Sequence, residues 1–274
     1  MKILKIIALV SALLSFSTIH AEETLRLATT TSTENTGLLP VLNAPFVAKN
    51  HIRIDVIAVG SGKALKLGEN GDVDVLLVHA PKAEEKFIAD GFGVDRTGVM
   101  WNDFILVGPK SDPEAVKSAP NVEEAMKKIS LGKTPFISRG DDSGTHKKEL
   151  ALWEKAAIKP AGNWYISAGQ GMSAVLRMAD DKLAYTLTDR GTFLAYQDKT
   201  QLAILVEGGE GLLNPYHVIA VNPKQHAHIK YDQAKKYIDY LAGAEGQAII
   251  GNFKKDGNVL FHPGLPKGYV TVKY

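Results

Sequence analysis

The sequence predicts an α/β protein of two lobes, each a mostly parallel sheet covered by helices, with the second lobe inserted into the first. Three observations predict it. Short runs rich in Val, Ile and Leu alternate with helix-length segments along most of the chain. Two strand-like stretches, near 105–110 and 210–220, stand where the chain would cross between lobes. Two amphipathic segments then close the chain and would return to the first lobe. At 274 residues, 45% hydrophobic and 23% charged, the chain can bury two cores of about 120 residues each. The expected division is lobe 1 from 22–105 plus 216–274, and lobe 2 from 106–215.

Taken in order, Leu25–Ala28 and Ile52–Val59 are strand runs, and Gly37–Lys49 between them reads as a helix with Pro40 near its start. Ser61–Gly68 is a short helix entered through Gly60-Ser61-Gly62. Val73–Val78 is a buried strand, and Pro81–Ala89 is a helix expected to carry Glu84 and Glu85 on its wet side. Asp103–Val107 is a strand closed by Gly108-Pro109. The second unit follows with a helix at Asn121–Leu131, a strand at Pro135–Ile137, and a helix at Ser143–Ala157 with Leu150 and Trp153 on one face. A helix at Gln170–Asp180, a strand at Leu183–Thr188, a short helix at Asp189–Tyr196 and a strand at Gln201–Val206 complete it. Tyr216–Val221 is again a strand, and Tyr231–Leu241 and Ala244–Phe253 are the closing helices.

Residues 1–21, MKILKIIALVSALLSFSTIHA, have a basic start at Lys2 and Lys5, an apolar centre from Ile6 to Leu14, and Ala21 at a cleavage-like position. That centre is too short for a permanent membrane span and reads as a secretory signal peptide. Without it the 32 basic and 30 acidic residues become 30 of each. Near-zero net charge gives no general attraction for nucleic acid or anionic membrane. The absence of cysteine removes disulfides, thiol chemistry and Cys-ligated metal.

Four junctions, each leading into a helix, carry small donor-rich residues. The first, ATTTST, places hydroxyls at Thr29, Thr30, Thr31 and Ser32; helix starts leave backbone N–H groups free, so such a cluster can face an anion without adding a cation. The second, VGSGK, offers Ser61 between two glycines; Leu65 stands where a dinucleotide fingerprint needs Gly. The third, SRGDDSGT, offers Arg139, Ser143 and Thr145, with Gly140 and Gly144 allowing close backbone approach and Asp141 or Asp142 able to hold the Arg139 fork. The fourth, AGQGM, opens a helix through Gly169 and Gly171, with Arg177 two turns in and read as surface. Each cluster alone is also what an ordinary capped helix looks like. Two such junctions per lobe suit one oxyanion held between lobes.

The eight histidines show no metal-ligand spacing, and the paired acids Asp141-Asp142 and Asp180-Asp181 show no two-metal spacing. Ser143, His146 and Asp141 fall within six residues, too crowded for a nucleophile with a separately oriented base. A secreted hydrolase using Ser143 and His146 is therefore the alternative of a different class. No cofactor and no enzymatic activity are expected.

These stretches resemble the periplasmic tungstate-binding proteins of bacterial ABC importers. The resemblance lies in TTTSTENTGLL at 29–39, GDVDVLLVHAPKAEEKF at 71–87, NDFILVGP at 102–109, SRGDDSGTHKKEL at 138–150, WYISAGQGM at 164–172, YTLTDRGTF at 185–193 and LLNPYHVIAVNP at 212–223. It implies a type II periplasmic binding fold that closes on tungstate or, less tightly, molybdate. It also implies delivery to a membrane permease by a protein acting as a monomer in the periplasm. Carried over, the ligand-binding positions are Thr30, Thr31, Ser61, Arg139 and Ser143, with Thr29, Ser32, Thr145 and Gly171 as further candidates. Ser61 replaces the Thr of the family, and Arg177 a small polar residue. Phosphate-binding proteins share the R-x-D-x-S-G-T pattern of Arg139 to Thr145. A protonated phosphate profits from a carboxylate acceptor in the cleft, whereas deprotonated tungstate is repelled by one.

Overall fold

The computed structural model describes residues 23–255, 257–267 and 269; the signal-peptide expectation for 1–21 lies outside them. The chain runs β1 (Glu23–Thr30), α1 (Thr31–Asn35), α2 (Leu38–Asn50), β2 (Ile52–Val59), α3 (Ser61–Asn70), β3 (Val75–Val78), α4 (Pro81–Ala89) and β4 (Gly93–Gly108). It continues α5 (Val122–Gly132), β5 (Phe136–Ser138), α6 (Gly144–Lys155), β6 (Tyr165–Ser167), α7 (Met172–Asp181), β7 (Thr186–Asp189), α8 (Arg190–Tyr196) and β8 (Ala203–Val206). It closes with β9 (Leu213–Val221), α9 (Tyr231–Ala242), α10 (Ala244–Asn252), β10 (Lys254–Lys255), β11 (Asn258–Val259) and β12 (His262–Pro263).

In the first lobe the strand order is β12-β4-β9-β3-β1-β2. β1 pairs parallel with β2 and β3. All four residues of β3 are buried, as a strand covered on both faces requires. Leu25, Leu27, Val75 and Leu77 pack with α2, α9 and α10 on one face, and Leu76, Val78 and Ala28 pack with α3 and α4 on the other. The closing helices thus pack on this lobe. β9, β4 and β12 add antiparallel pairs, so the sheet is mixed rather than mostly parallel.

β4 is the strand that both lobes share. Its pairing with β9 runs to Asp103↔Leu213, and from Phe104↔Asp189 onward it pairs with β7 and then β8. The crossings therefore fall at 103–104 and 213, a few residues before 105–106 and 216. Lys148 of α6 sits at this point, its Nζ 3.0 Å from the Leu213 carbonyl and 5.6 Å from the Phe104 ring centroid. Burial pushes its pKa down to about 8.

Two side chains differ from expectation. Leu150 is 45% exposed, and the inward face of α6 is Thr145, Glu149, Leu152 and Trp153. Leu150 and Trp153 are three positions apart and straddle the edge of the apolar stripe. Glu84 is fully buried rather than wet. Its Oε1 accepts from the Ala80 N–H at 2.6 Å, and its Oε2 accepts from Arg96 Nη2 at 2.8 Å and lies 2.9 Å from His217 Nδ1. A buried carboxylate needs such partners.

Candidate functional site

Each of the four junctions becomes a helix N-terminus at the interlobe cleft. At the start of α1 the Thr30 hydroxyl accepts from the Thr33 N–H, and at the start of α6 the Ser143 hydroxyl accepts from the His146 N–H at 3.2 Å. α3 and α7 begin after Gly60 and Gly171, which offer no capping side chain. Apart from the Ala174 N–H, which donates to the Gly171 carbonyl at 3.0 Å, their first-turn N–H groups are left to whatever enters the cleft.

A cavity of about 360 Å³ lies between the lobes. It is lined by Thr31, Ser32 and Asn35 from the first lobe, and by Arg139, Thr192 and Gly171 to Ala174 from the second. Among the described residues no carboxylate lines it. A depression of about 380 Å³ on lobe 1 contains Lys49, Lys236, Asp239 and Glu245. Its mixed charges repel an oxyanion as much as they attract one, and no helix N-terminus from the four junctions reaches it.

Arg139 is 7% exposed, and its Nε is buried with no hydrogen-bond partner. Asp141 accepts from Arg139 Nη2 through one oxygen and from the Ser143 N–H at 3.2 Å through the other. Burial alone would raise the Asp141 pKa, but the bonds from Ser143 and Arg139 hold it below the ordinary carboxylate range. Asp141 thus stays ionised and faces the guanidinium. Asp142 points its backbone N–H at His146 Nδ1, at 3.1 Å.

Ser61 is fully buried and its hydroxyl also has no partner. A Cβ on Gly144 of the second lobe would stand 3.1 Å from Ser61 Oγ and 2.8 Å from His79 Cε1. The lobes meet here with room for glycine alone. A buried hydroxyl and a buried guanidinium N–H without partners are costly unless something accepts from them. They fit an oxyanion.

Of the expected residues, Thr31, Ser32, Arg139 and Gly171 line the cavity, and Ser61, Ser143 and Thr145 are buried at the adjoining helix starts. Thr29 leaves the set of donors. It points across β1 and gives its hydroxyl hydrogen to the Leu77 carbonyl at 2.8 Å, its paired residue on β3. Thr30 is occupied by the cap and by His79, at 3.2 Å. Asn35, Ser173 and Thr192 were not anticipated. Thr192 had a local signal, since Asp189 three residues earlier caps α8 by accepting from its N–H at 2.8 Å and its hydroxyl at 2.6 Å. Arg177 is exposed, as read.

The hydrolase alternative finds no geometry. Ser143 Oγ is used as a cap and His146 Nδ1 accepts from the backbone, so the imidazole is not placed as a base for that hydroxyl.

Two α/β lobes on shared crossing strands, with helix N-termini converging on the cleft between them, define a solute-binding protein. The model of the PBP superfamily domain matches residues 18–245. The tungstate-binding protein TupA of Peptoclostridium acidaminophilum is 49% identical over 252 residues, covering 90% of this chain and 88% of that protein. The crystal structure of the tungstate ABC transporter from Geobacter sulfurreducens superposes with a TM-score of 0.78 at 57% identity, covering 85% of this chain and 100% of that one. TupA from Desulfovibrio alaskensis G20 gives 0.79 at 45% identity, covering 89% and 100%. The chain belongs to the PBP superfamily and, within it, to the family of these tungstate-binding relatives.

Proposed function

We propose that this protein binds tungstate in the cleft between its lobes and delivers it to the membrane permease of an ABC importer. The observation that carries the reading is a donor-rich cleft whose described lining holds no carboxylate: a buried guanidinium N–H, a buried hydroxyl and the uncapped starts of α3 and α7, with the Asp141 carboxylate turned onto Arg139. Tungstate is fully deprotonated and accepts from every side, so such a lining suits it. Hydrogen phosphate would find no carboxylate in that lining to take its proton, only the weaker acceptors of hydroxyls and the Asn35 amide, which disfavours the phosphate reading. The names of the relatives point the same way.

The contacts assigned to the oxyanion come from Arg139, Ser61, Thr31, Ser32 and Thr145, and from backbone N–H groups at Gly171 and the start of α3, while the Ser143 N–H is held by Asp141. Thr30 supports them as the cap of α1. Molybdate, with the same charge and shape, is the second ligand. Residues 1–21 would direct export, and the folded chain would act as a monomer in the periplasm with no chemical step on its cargo. Lobe closure about 103–104 and 213 would exclude water and present one closed face to the permease.

Calorimetric titration of residues 22–274 with tungstate, molybdate, sulfate and phosphate tests this. Tungstate is expected to bind most tightly and phosphate weakly. Tighter binding of phosphate would overturn the assignment.

A further inference from the structure

His79 follows directly on β3, is 4% exposed and stands against Gly144 of the other lobe. Its ring stacks on Tyr216 with centroids 4.5 Å apart. Nδ1 lies 3.0 Å from Asn214 Oδ1, and Nε2 lies 3.2 Å from Thr30 Oγ1. Asn214 sets the polarity. Its Nδ2 donates to Asn102 Oδ1 at 2.7 Å and to the Tyr216 hydroxyl at 3.2 Å, so its Oδ1 is the atom left to accept from His79. Nδ1 therefore carries the imidazole hydrogen and Nε2 a lone pair.

We propose that His79, as the neutral Nδ1–H tautomer, is a positioning residue for the oxyanion site: it takes the Thr30 hydroxyl hydrogen and leaves Thr31 and Ser32 as the hydroxyl donors of α1. This rests on the oxyanion reading of the cleft. With its hydrogen given to His79, Thr30 Oγ1 only accepts. Thr33 Oγ1 at 2.7 Å and the Thr33 N–H at 3.3 Å fill its two lone pairs. Ser32 Oγ, 3.1 Å from Thr30 Oγ1, then finds no lone pair free there and keeps its hydrogen for the cleft.

The same imidazole ties the start of α1 to the crossing point. Asn214 and Asn102 are paired across β9 and β4, one residue inside the Asp103↔Leu213 pair where the lobes part. Burial pushes the His79 pKa down; the charges of Asp189 and Glu84 oppose this, and that of Arg139 adds to it. The ring stays neutral around pH 7, as an acceptor at Nε2 requires.

Imidazole nitrogen NMR of the 15N-labelled protein at pH 7, with and without sodium tungstate, reads the tautomer directly. His79 is assigned by the signals lost in H79N or H79Q. The expected pattern is protonated Nδ1 and unprotonated Nε2 in both states. An Nε2–H tautomer or an imidazolium would overturn the proposal. H79N keeps a donor to Asn214 and loses the acceptor for Thr30. It is expected to bind tungstate about tenfold more weakly, with H79Q regaining part of the loss. Unchanged affinity in H79N would also overturn it. Failure of the unmutated protein to bind tungstate would count instead against the functional reading, because the tautomer is read without ligand as well.

Discussion

Asp141 is bonded to Arg139 and not to the cleft: one carboxylate oxygen accepts from the guanidinium, the other from the Ser143 N–H. The pair fixes the fork at one edge while Nε stays buried and unpartnered. That division of donors decides which anions fit.

Arg139→Ala should weaken tungstate binding by about 1–3 kcal/mol, because it removes charge-assisted donors from a closed site. Calorimetry checks this, and near-unchanged affinity would place Arg139 outside the contacts to the anion. Asp141→Asn should also weaken binding by releasing the fork. It should reduce the loss of stability in acid as well. The Asp141 pKa is lowered on folding, so its stabilising share is present above the ordinary carboxylate range, near pH 4, and fades as pH falls through the lower folded value. Denaturant titrations between about pH 2 and 5 read that difference.

Gly144→Ala should impair closure selectively. The new Cβ would stand 2.8 Å from His79 Cε1 and 3.1 Å from Ser61 Oγ. Alanine is favourable in the first turn of α6, so the second lobe should fold normally. The expected outcome is tungstate affinity lowered about tenfold or more with little change in helix content, an overpacking cost of about 1–3 kcal/mol on the closed form. Small-angle scattering with tungstate should show a larger radius than for the unmutated complex.

Ser61→Ala separates binding from folding. The hydroxyl has no partner within the protein, so its loss should leave the ligand-free protein as stable or slightly more so. Tungstate binding should weaken by about 1 kcal/mol. A large drop in ligand-free stability would show that the hydroxyl has a structural partner.

Glu149 predicts a pH dependence away from the cargo. It is 1% exposed, and its Oε1 accepts from Trp153 Nε1 at 3.1 Å and from the Tyr165 hydroxyl at 2.6 Å. Burial pushes its pKa up from 4.5 to about 7, against those bonds. The folded state therefore holds a proton that the unfolded chain has lost between those values. Stability falls as pH rises from 4.5 to about 7, by up to about 3 kcal/mol from this group, and levels off above. Glu149→Gln keeps an acceptor for both donors and should flatten that window in denaturant titrations.

How far the chain could be read without coordinates follows from the range of the interactions. The helix starts after Thr30, Gly60, Ser143 and Gly171 depend on caps, glycines and the onset of apolar periodicity, all local, and were legible. The buried Glu84 was not, because what makes its burial tolerable is Arg96 on β4 and His217 on β9. The half of β4 from Gly93 to Asn102 was missed as well, since Asp95, Arg96 and two glycines break its alternation. It is a strand because β9 pairs with it across more than a hundred residues of sequence. Thr29 and Thr30 looked equivalent to Thr31 and Ser32 in the sequence. Register with Leu77 and contact with His79, both set by tertiary pairing, separate them.

The most direct measurement is a crystal structure of the tungstate complex phased on tungsten, whose anomalous signal locates the metal without reference to the protein. The account predicts one peak between the starts of α1, α3, α6 and α7, with oxygens bonded to Arg139 and Ser61 and no carboxylate within hydrogen-bonding distance. A peak outside the cleft, or a carboxylate oxygen in contact with the anion, would contradict it.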